Sequence, residues 1–457
     1  MNKYLKFNGF IFGVAFSVLG CSLTNADPLV LSVSSGEDEL VLRGESFGNK
    51  ESPFPILWAF GSDVRENGQP VNKETGVVDG ESVQVSTSSS SVWTRGEGVA
   101  YSSLSRIPEV SHTYRAENDG WLGWPVAFGG GDTPFSDQAY VAWRVKTPGD
   151  ISHYALVAVT DSEGSFFLGK DEFSPGERVE IIPIGAEPRI GRIVHFDSDK
   201  QRMHIEVVGL SSKHFVGGKV VGLDSGASAI LDSSVYYRSG SSSKYFRSYE
   251  TISEGGTHFV VSTNRLITAQ YDSQGNELRR AFEFDGDAGY GLPNISASTD
   301  WQLVEAYIDL SESYGHGFLR LNSNELKSFS GLDISGSKPK DAGPTISNIG
   351  WEAAGGVEEV NVAINFGEIY FDKTPQRVVL ANTQDLLNAG ANVEFQFIKA
   401  WSNNEIRVEK RFGGLRKDMP IYAFVFNKNN ISNKIGYCVS NCDVDELPPS
   451  KIDLNIE

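Results

Sequence analysis

The sequence is short of basic residues. It contains 40 Lys and Arg against 59 Asp and Glu, which gives a formal net charge of -19 at pH 7. No basic stripe interrupts the acidic background, whereas proteins that neutralise phosphates need clustered Lys and Arg. Nucleic acid is therefore excluded as an expected partner, and the excess acid is expected to serve solubility.

Several patterns that mark catalytic and metal sites are also missing. The chain has no Gly-x-Ser-x-Gly elbow, no phosphate loop and no His-Glu-x-x-His helix, and its seven His never stand at zinc-ligand spacing. Laminarinase-type hydrolases place three carboxylates as Glu-x-Asp-x-x-Glu on one strand. The nearest carboxylates, Glu368 with Asp372 and Glu283 with Asp285 and Asp287, lack a third acid at the required offset. No catalytic residue is predicted, although an enzyme is not excluded.

The chain has only 3 Met, and its apolar run from Phe10 to Leu19 is too short to span a bilayer. Instead it has 48 Gly, 11% aromatic residues and many short alternating apolar segments. Such a composition favours strands and tight turns over helix bundles. We predict an all-β protein of roughly two to four domains.

The first residues indicate export, because Lys3 and Lys6 precede the apolar run. Val18-Leu19-Gly20-Cys21 resembles the lipobox of bacterial lipoproteins, which implies lipidation at Cys21 and an anchor in the outer membrane or at the cell surface. Thr24-Asn25-Ala26 fits an ordinary signal peptidase, which implies a secreted protein. Residues 1–26 are predicted to be a signal peptide with a possible lipobox.

Either cleavage leaves the pair Cys438 and Cys442 in the exported chain. Export places them in an oxidising compartment, where two cysteines four residues apart can close a small loop. We predict a disulfide between them in preference to a metal site.

The central part alternates strand-like segments with Gly, Ser, Asp and Pro turns, as in 139–146 and 303–308. An early Trp-rich segment, the strand bearing Arg247, the hairpin Gly317–Asn322 and the late strand 367–372 follow the order of concanavalin A-like, laminin-G-like proteins. The resemblance implies an antiparallel jelly-roll sandwich formed by residues 55–183 and 233–373.

Residues 184–232 differ in composition from the segments on either side, because they contain short predicted strands rich in Val and Ile. The segment 221–229 resembles small SH3-like modules of phage and bacterial surface proteins, which implies a small β-barrel. Pro183 and Pro188 before it, and Ser233-Ser234 after it, are typical of hinges. We predict that this barrel is inserted into a loop of the sandwich.

The two ends of the chain share a further pattern. Arg43–Gly48, in which Gly44, Phe47 and Gly48 follow a strand, resembles a strand of IPT/TIG immunoglobulin-like domains, which implies a partial domain at 27–54. Trp401-Ser402 before a turn and an Ile-x-Val strand resembles the same family, which implies a second unit at 374–442. The acidic stretch 443–457 is predicted to be a mobile tail.

Sugar sites combine aromatic rings, which stack on the apolar face of a pyranose, with planar polar side chains. Trp121 and Trp124 stand among glycines close to Asp132, and Arg247 shares a strand with Tyr249. We predict a ligand site from these five residues, although both tryptophans also fit a core. Alginate-lyase-type jelly rolls gather a Tyr, a His and an Arg, and we would test the neighbourhood of Arg247, Tyr249 and His258 for lyase action; the alternative is a sheet face that holds a satisfied histidine.

Asp285 and Asp287 stand in a glycine-rich turn that fits either a calcium site or a plain acidic turn, so calcium is the one cofactor that the sequence allows. From these observations we expect a non-catalytic adhesion protein that contacts a glycan or another surface polymer. The alternatives are a polysaccharide lyase or hydrolase on the same fold, and a structural component of a surface or phage-like assembly.

Overall fold

The computed structural model describes residues 26–71, 77–85, 92–125, 138–146, 154–160, 173–197, 202–207, 217–231, 236–237, 244–248, 256–262, 265–271, 277–285, 300–309, 314–333, 345–352 and 363–442. These residues form antiparallel sheets, which confirms the predicted all-β class. None of these residues forms a helix that is both long and apolar enough to cross a membrane.

The largest unit, which we call the central sandwich, is one continuous sheet. Its strands are β3 (Leu57–Phe60), β4 (Asp63–Glu66), β5 (Gln69–Pro70), β6 (Thr94–Ser102), β7 (Thr113–Trp124), β8 (Gln138–Lys146), β16 (Lys244–Ser248), β17 (Gly256–Ser262), β18 (Arg265–Tyr271), β19 (Glu277–Asp285), β20 (Gln302–Asp309), β21 (Tyr314–Leu321), β22 (Asn324–Asp333), β23 (Ile346–Glu352) and β24 (Ala363–Asp372). Strand β8 pairs with both β20 and β24, and β7 pairs with β23 and β24. The two stretches that flank the small barrel therefore share one sheet.

This sheet curls around its own core. Strand β16 is separated from β8 by β23, β7 and β24, a distance of about 19 Å in a flat sheet. Nevertheless the rings of Trp143 on β8 and Phe246 on β16 stack with centroids 5.6 Å apart. The sheet must therefore fold back on itself, and a large apolar cluster fills the space inside.

A small barrel interrupts the central sandwich. Its strands are β9 (Tyr154–Thr160), β10 (Arg178–Ile182), β11 (Arg189–Asp197), β12 (Arg202–Val207), β13 (Lys219–Gly222), β14 (Ser228–Leu231) and β15 (Tyr236–Tyr237). The path from β12 through β11, β10, β13 and β14 to β9 closes because β9 also pairs with β12. Strands β9, β10 and β15 lie outside the predicted limits 184–232, so the inserted unit is longer at both ends than the sequence indicated.

The two ends of the chain form a third unit, which we call the terminal sandwich. It consists of β1 (Leu29–Ser35), β2 (Glu39–Glu45), β25 (Arg377–Ala381), a 3-10 helix (Leu386–Ala389), β26 (Val393–Phe395), β27 (Phe397–Trp401), β28 (Glu405–Glu409), β29 (Ile421–Phe426) and β30 (Tyr437–Ser440). One sheet has the order β1-β2-β28-β27 and the other the order β26-β25-β29-β30.

Pairing of β2 with β28 joins residues more than 350 positions apart, and Phe47 is buried in the same core as Val378 and Ile406. The segments 27–54 and 374–442, which the sequence predicted as a partial domain and a second domain, are thus two parts of one sandwich. A disulfide joins Cys438 and Cys442 in this unit, with Cα atoms 6.1 Å apart.

Candidate functional site

The outer face of the central sandwich carries an unusual number of polar side chains. Because successive side chains alternate across a strand, the apolar residues of β8, β20, β21 and β24 face the core and the residues between them face outward. The outward set includes Gln138, Tyr140, Arg144, Glu305, Tyr307, Asp309, His316, Phe318, Arg320, Glu368, Tyr370 and Asp372. The strand register places Tyr307 between Tyr140 and Phe318, and Asp309 opposite His316.

The terminal sandwich covers most of this face with aromatic rings. The ring of Trp58 on β3 contacts that of Phe397 at 5.5 Å, and the ring of Tyr370 contacts that of Phe395 at 5.2 Å, both measured between centroids. Aromatic side chains of both units form one buried cluster. The large hydrophobic area in this contact is expected to hold the two sandwiches in a fixed orientation.

Ion pairs neutralise the carboxylates that lie under this cover. The Nζ atom of Lys50 is 2.5 Å from the Oδ2 atom of Asp372, which also accepts a hydrogen bond from the Tyr370 hydroxyl. Burial raises the pKa of Asp372, and the charge of Lys50 opposes that rise. Burial also raises the pKa of Tyr370 well above its ordinary value.

Two arginines join the carboxylates Glu368 and Glu394. The Nη atoms of Arg106 lie 2.7 Å from Glu368 Oε2 and 2.6 Å from Glu394 Oε1. Arg144 lies 3.4 Å from Glu368 and donates to the carbonyls of Ala391 and Val393. Burial, with the charge of Arg106 second, lowers the pKa of Arg144 to about 10. Glu368, which the sequence brought into consideration with Asp372, is therefore held in a contact between the sandwiches.

A third buried pair links β20 to the terminal sandwich. Arg377 donates from Nη2 to Glu305 Oε1 at 2.7 Å, and Glu305 also accepts from the Tyr140 hydroxyl at 2.6 Å. Burial raises the pKa of Glu305, but the charges of Arg377 and Arg320 and the hydrogen bond from Tyr140 bring it below its ordinary value. Glu305 is thus held by two hydrogen bonds in the contact between the sandwiches.

The cover ends at the β21 edge of the face, where an open cleft of about 430 Å³ remains. We call it the β21 cleft. Strands β20, β21 and β22 of the central sandwich form one side, and the turn 427–431 of the terminal sandwich forms the other. Its lining includes Tyr307, His316, Phe318, Arg320, Ser328 and Asn430.

One end of the β21 cleft holds a histidine beside a carboxylate. The Nε2 atom of His316 is 3.6 Å from Asp309 Oδ2, and the side chain of His316 is 48% exposed, whereas that of Asp309 is 8% exposed. Asp309 Oδ2 also accepts from the Tyr307 hydroxyl at 3.1 Å and from Gln138 at 2.6 Å. The ring of Tyr307 contacts the edge of the His316 ring at 5.7 Å. Hydrogen bonds therefore fix the carboxylate and leave the imidazole facing solvent.

The other end holds an arginine over an aromatic floor. The guanidinium carbon of Arg320 lies 4.6 Å from the ring centroid of Phe318. Opposite it, the turn 427–431 is held by the Asn427 side chain, which accepts from the backbone N–H groups of Asn429 and Ile431. Asn430 within that turn has a φ of 60°. The cleft therefore presents a guanidinium and amide groups side by side, with the ring of Phe318 buried under the guanidinium.

The structure separates the tryptophans of the predicted ligand site. Trp124 is only 3% exposed, lies in the core and donates to Glu66 at 3.0 Å, so its ring cannot stack on a sugar as predicted. Trp121 is half-buried on the outer face of β7. Arg247 is on β16, and β23 pairs with both strands, so Trp121 and Arg247 lie on neighbouring parts of the sheet.

Several predicted site residues lie outside the residues that the structure describes. They are Asp132, Tyr249, Asp287 and the predicted lipidation site Cys21. For Asp285 only the backbone, at the end of β19, is described. No group of three or more His, Cys, Asp and Glu that could hold a metal occurs in the described part of the chain. The calcium site stays a prediction.

Tyr307, His316 and Arg320 are the site residues that sequence reasoning missed. A signal was present, because Glu305, Tyr307 and Asp309 place polar groups at alternate positions of an otherwise apolar strand. His316 and Arg320 have the same parity on the following strand. In the sequence, the hairpin Gly317–Asn322 indicated the fold and did not indicate a binding site.

No protein-family model and no curated protein sequence matches the chain. Among solved structures, alginate lyase Aly36B in complex with an alginate tetrasaccharide has a TM-score of 0.27 and 11% identity, covering 70% of this chain and 98% of that one. An endo-1,3-beta-glucanase from Streptomyces sioyaensis has a TM-score of 0.21 and 10% identity, covering 75% and 99%. The CBM2 module of the Lactobacillus casei BL23 phage J-1 evolved Dit has a TM-score of 0.15 and 9% identity, covering 74% and 92%. TM-scores of this size do not establish a common fold.

Proposed function

We propose that the protein is a non-catalytic glycan-binding protein of the cell surface, and that the β21 cleft is its saccharide site. One observation carries this proposal. The cleft holds the planar polar side chains of His316, Arg320 and Asn430 in an open space of about 430 Å³, and the rings of Tyr307 and Phe318 in its lining are buried. Planar polar groups in such a combination suit the hydroxyls of a pyranose.

The rest of the outer face supports the choice of this cleft. Glu305, Glu368 and Asp372 are buried and bound to Arg377, Arg106 and Lys50. A long saccharide cannot lie on them while the terminal sandwich is in place. Binding is therefore confined to the edge of the face, where one to a few sugar units fit a cleft of this volume.

The terminal sandwich has a role in the proposed site as well as a role as a spacer. It supplies the turn 427–431, and buried ion pairs and aromatic contacts hold that turn opposite β21. A site formed on rigid elements loses little conformational entropy on binding. We place this site outside the cell, with an acylated Cys21 as the anchor and the concanavalin-like and IPT/TIG-like units as an exported surface module.

A glycan array followed by isothermal titration tests the proposal. The wild-type protein is expected to bind at least one oligosaccharide, and His316→Ala is expected to weaken that binding because it removes an exposed wall of the cleft. Lys434→Ala is the control, since the Lys434 side chain is 84% exposed and outside the cleft. Retention of full binding by His316→Ala together with the equally cleft-lining variant Asn429→Ala would exclude this cleft as the site.

A second function is favoured by one observation, the presence of the exposed His316 and of Arg320 in one cleft. A polysaccharide lyase needs a base beside the sugar, with a cation to stabilise developing charge. The lyase function predicts that incubation with acidic polysaccharides releases unsaturated ends, and that His316→Ala abolishes the release. If the protein binds a polysaccharide and releases no unsaturated ends at any protein concentration, the adhesion function stands and the lyase function is rejected.

A further inference from the structure

Two neighbouring arginines at the β21 cleft differ in how their donors are used. Arg377 Nη1 donates to the Pro375 carbonyl at 2.8 Å and to Asn430 Oδ1 at 2.7 Å, while its Nη2 donates to Glu305 at 2.7 Å. Both of its terminal nitrogens are thus engaged at short distance. The Arg377 side chain is 1% exposed.

Arg320 has only long contacts. Its Nη1 atom is 3.5 Å from Asn430 Oδ1, an atom that already accepts from Arg377, and its Nη2 atom is 3.7 Å from Glu325 Oε2. The Nε atom of Arg320 is buried and has no hydrogen-bond partner among the described residues, a feature that it shares with Arg377 Nε. A guanidinium has five N–H donors in a planar fork, so most of the donors of Arg320 lack a well-placed acceptor.

Arg320 lies at the cleft, where a ligand can reach the side of its guanidinium that faces solvent. Its side chain is 16% exposed, stacks on Phe318 and lines an open cleft. Burial, together with the like charge of Arg377, lowers the pKa of Arg320, and the charges of Glu305 and Glu325 oppose that shift. An anion entering the cleft would accept the free donors in the bidentate geometry that arginine favours.

We propose that Arg320 anchors an acidic saccharide, by binding a carboxylate or sulfate group on one of its sugar units. This inference rests on the proposed glycan-binding function and names the class of ligand. The ring of Phe318 holds the guanidinium from below, and Asn430 and His316 stand on either side to bond hydroxyls. Neutral glycans offer no acceptor that competes with a carboxylate for this cation.

Glu325 gives the proposal an unusual test. Its side chain is 43% exposed, and its carboxylate is the nearest acid to the Nη2 atom of Arg320. An incoming anion must displace it and is repelled by it. Removal of the Glu325 charge is therefore expected to strengthen binding of an acidic saccharide, an outcome that misfolding cannot imitate.

The experiment is isothermal titration of the full chain with three tetrasaccharides: an oligogalacturonate, a sulfated galactose oligosaccharide and the neutral cellotetraose. We expect an acidic probe to bind and cellotetraose to bind at least tenfold more weakly. Arg320→Gln should weaken the acidic probe by about ten- to a hundredfold, the loss of a charged hydrogen-bonded contact. Arg320→Lys should retain part of the affinity, because it keeps the charge without the fork.

Glu325→Gln should tighten the acidic probe several-fold and leave cellotetraose unchanged. The matched control is Glu187→Gln, an exposed acid of the small barrel, which makes the same change in net charge. Equal gains in both variants would mean that only the overall charge matters, and would overturn the assignment to Arg320.

The remaining outcomes separate the two proposals. Cellotetraose binding as tightly as the acidic probes, with no loss in Arg320→Gln, would overturn the inference and leave glycan binding standing. Binding of no glycan on the array would overturn both. Which of the two acidic probes binds more tightly distinguishes a uronate carboxylate from a sulfate as the anchored group.

Discussion

The covered and the open parts of one sheet face use the same residue types in different ways. Under the terminal sandwich, Glu305 is bonded to Arg377 and Tyr140 within 2.7 Å. At the β21 edge, directly opposite Glu305 on the neighbouring strand, Arg320 has contacts of 3.5 and 3.7 Å only. The comparison shows that polar residues on a sheet face acquire a structural or a binding role according to what covers them.

The largest expected effect is in the covered part. Arg377→Met removes the partner of Glu305 and leaves a buried carboxylate, so the free energy of unfolding should fall by about 3–5 kcal/mol. Urea denaturation measures the change. The double variant Arg377→Met with Glu305→Leu should recover much of that loss, because both charges are then gone. A single variant as stable as the wild type would contradict the structural role of the pair.

The pH dependence of stability at acid pH should show the contribution of the same ion pair. The pKa of Glu305 is below its ordinary value in the folded protein, with burial opposing and Arg377 favouring the charged form. Its contribution to stability is therefore complete above the unfolded pKa of 4.5 and is lost as the pH falls through the folded pKa. Stability measured from pH 5 downward, relative to Glu305→Gln, isolates this group from Asp372 and Glu394.

The sign of that pH dependence should reverse when the partner is removed. The pKa values of Asp372 and Glu394 are raised by burial, so those groups favour the folded state at low pH. In Arg377→Met the pKa of Glu305 should rise in the same way, because the largest opposing charge is gone. Stability of Arg377→Met that still increases with pH in this range would argue against Arg377 as the dominant partner.

A smaller effect on stability is expected in the open part. Arg320→Met keeps the apolar stem over Phe318 and removes long polar contacts together with a charge near Glu305 that is secondary to Arg377, so the free energy of unfolding should fall by about 1 kcal/mol, less than in Arg377→Met. Thermal and urea unfolding should place it close to the wild type. A loss equal to that of Arg377→Met would remove the contrast between the two arginines.

The smallest expected effect on stability is that of His316→Ala. Its side chain is half exposed, and the weak contact with Asp309 is 3.6 Å, so we expect a change within about 0.5 kcal/mol. The effect of this substitution should instead be seen in saccharide affinity. A variant that is destabilised and still binds fully would assign His316 to the fold.

Strand periodicity was sufficient to predict the all-β class and a core-facing set such as Val141, Trp143 and Val304. It was not sufficient for Trp124, because a tryptophan next to glycines fits a core as well as a rim. Pairing of β2 with β28 was beyond local reasoning, since it joins segments separated by the whole central sandwich. A sequence pattern identifies two faces of a strand and does not identify the unit that covers them.

The same limit explains why the cleft was missed. Every residue of β20 is buried. The alternating polar residues of this strand therefore fit either a contact between two units or a binding site. Only the position of the turn 427–431 shows where the cover ends. That position depends on contacts between residues more than a hundred positions apart, such as Arg320 with Asn430.

Blocking the cleft tests the central claim most directly. Ser328 is an exposed lining residue, so Ser328→Trp should fill the β21 cleft, while Ser228→Trp alters an exposed strand serine of the small barrel. Titration with the tightest saccharide from the array should show binding by Ser228→Trp at the wild-type level and none by Ser328→Trp. Undiminished binding by a folded Ser328→Trp would contradict the assignment of glycan recognition to this cleft.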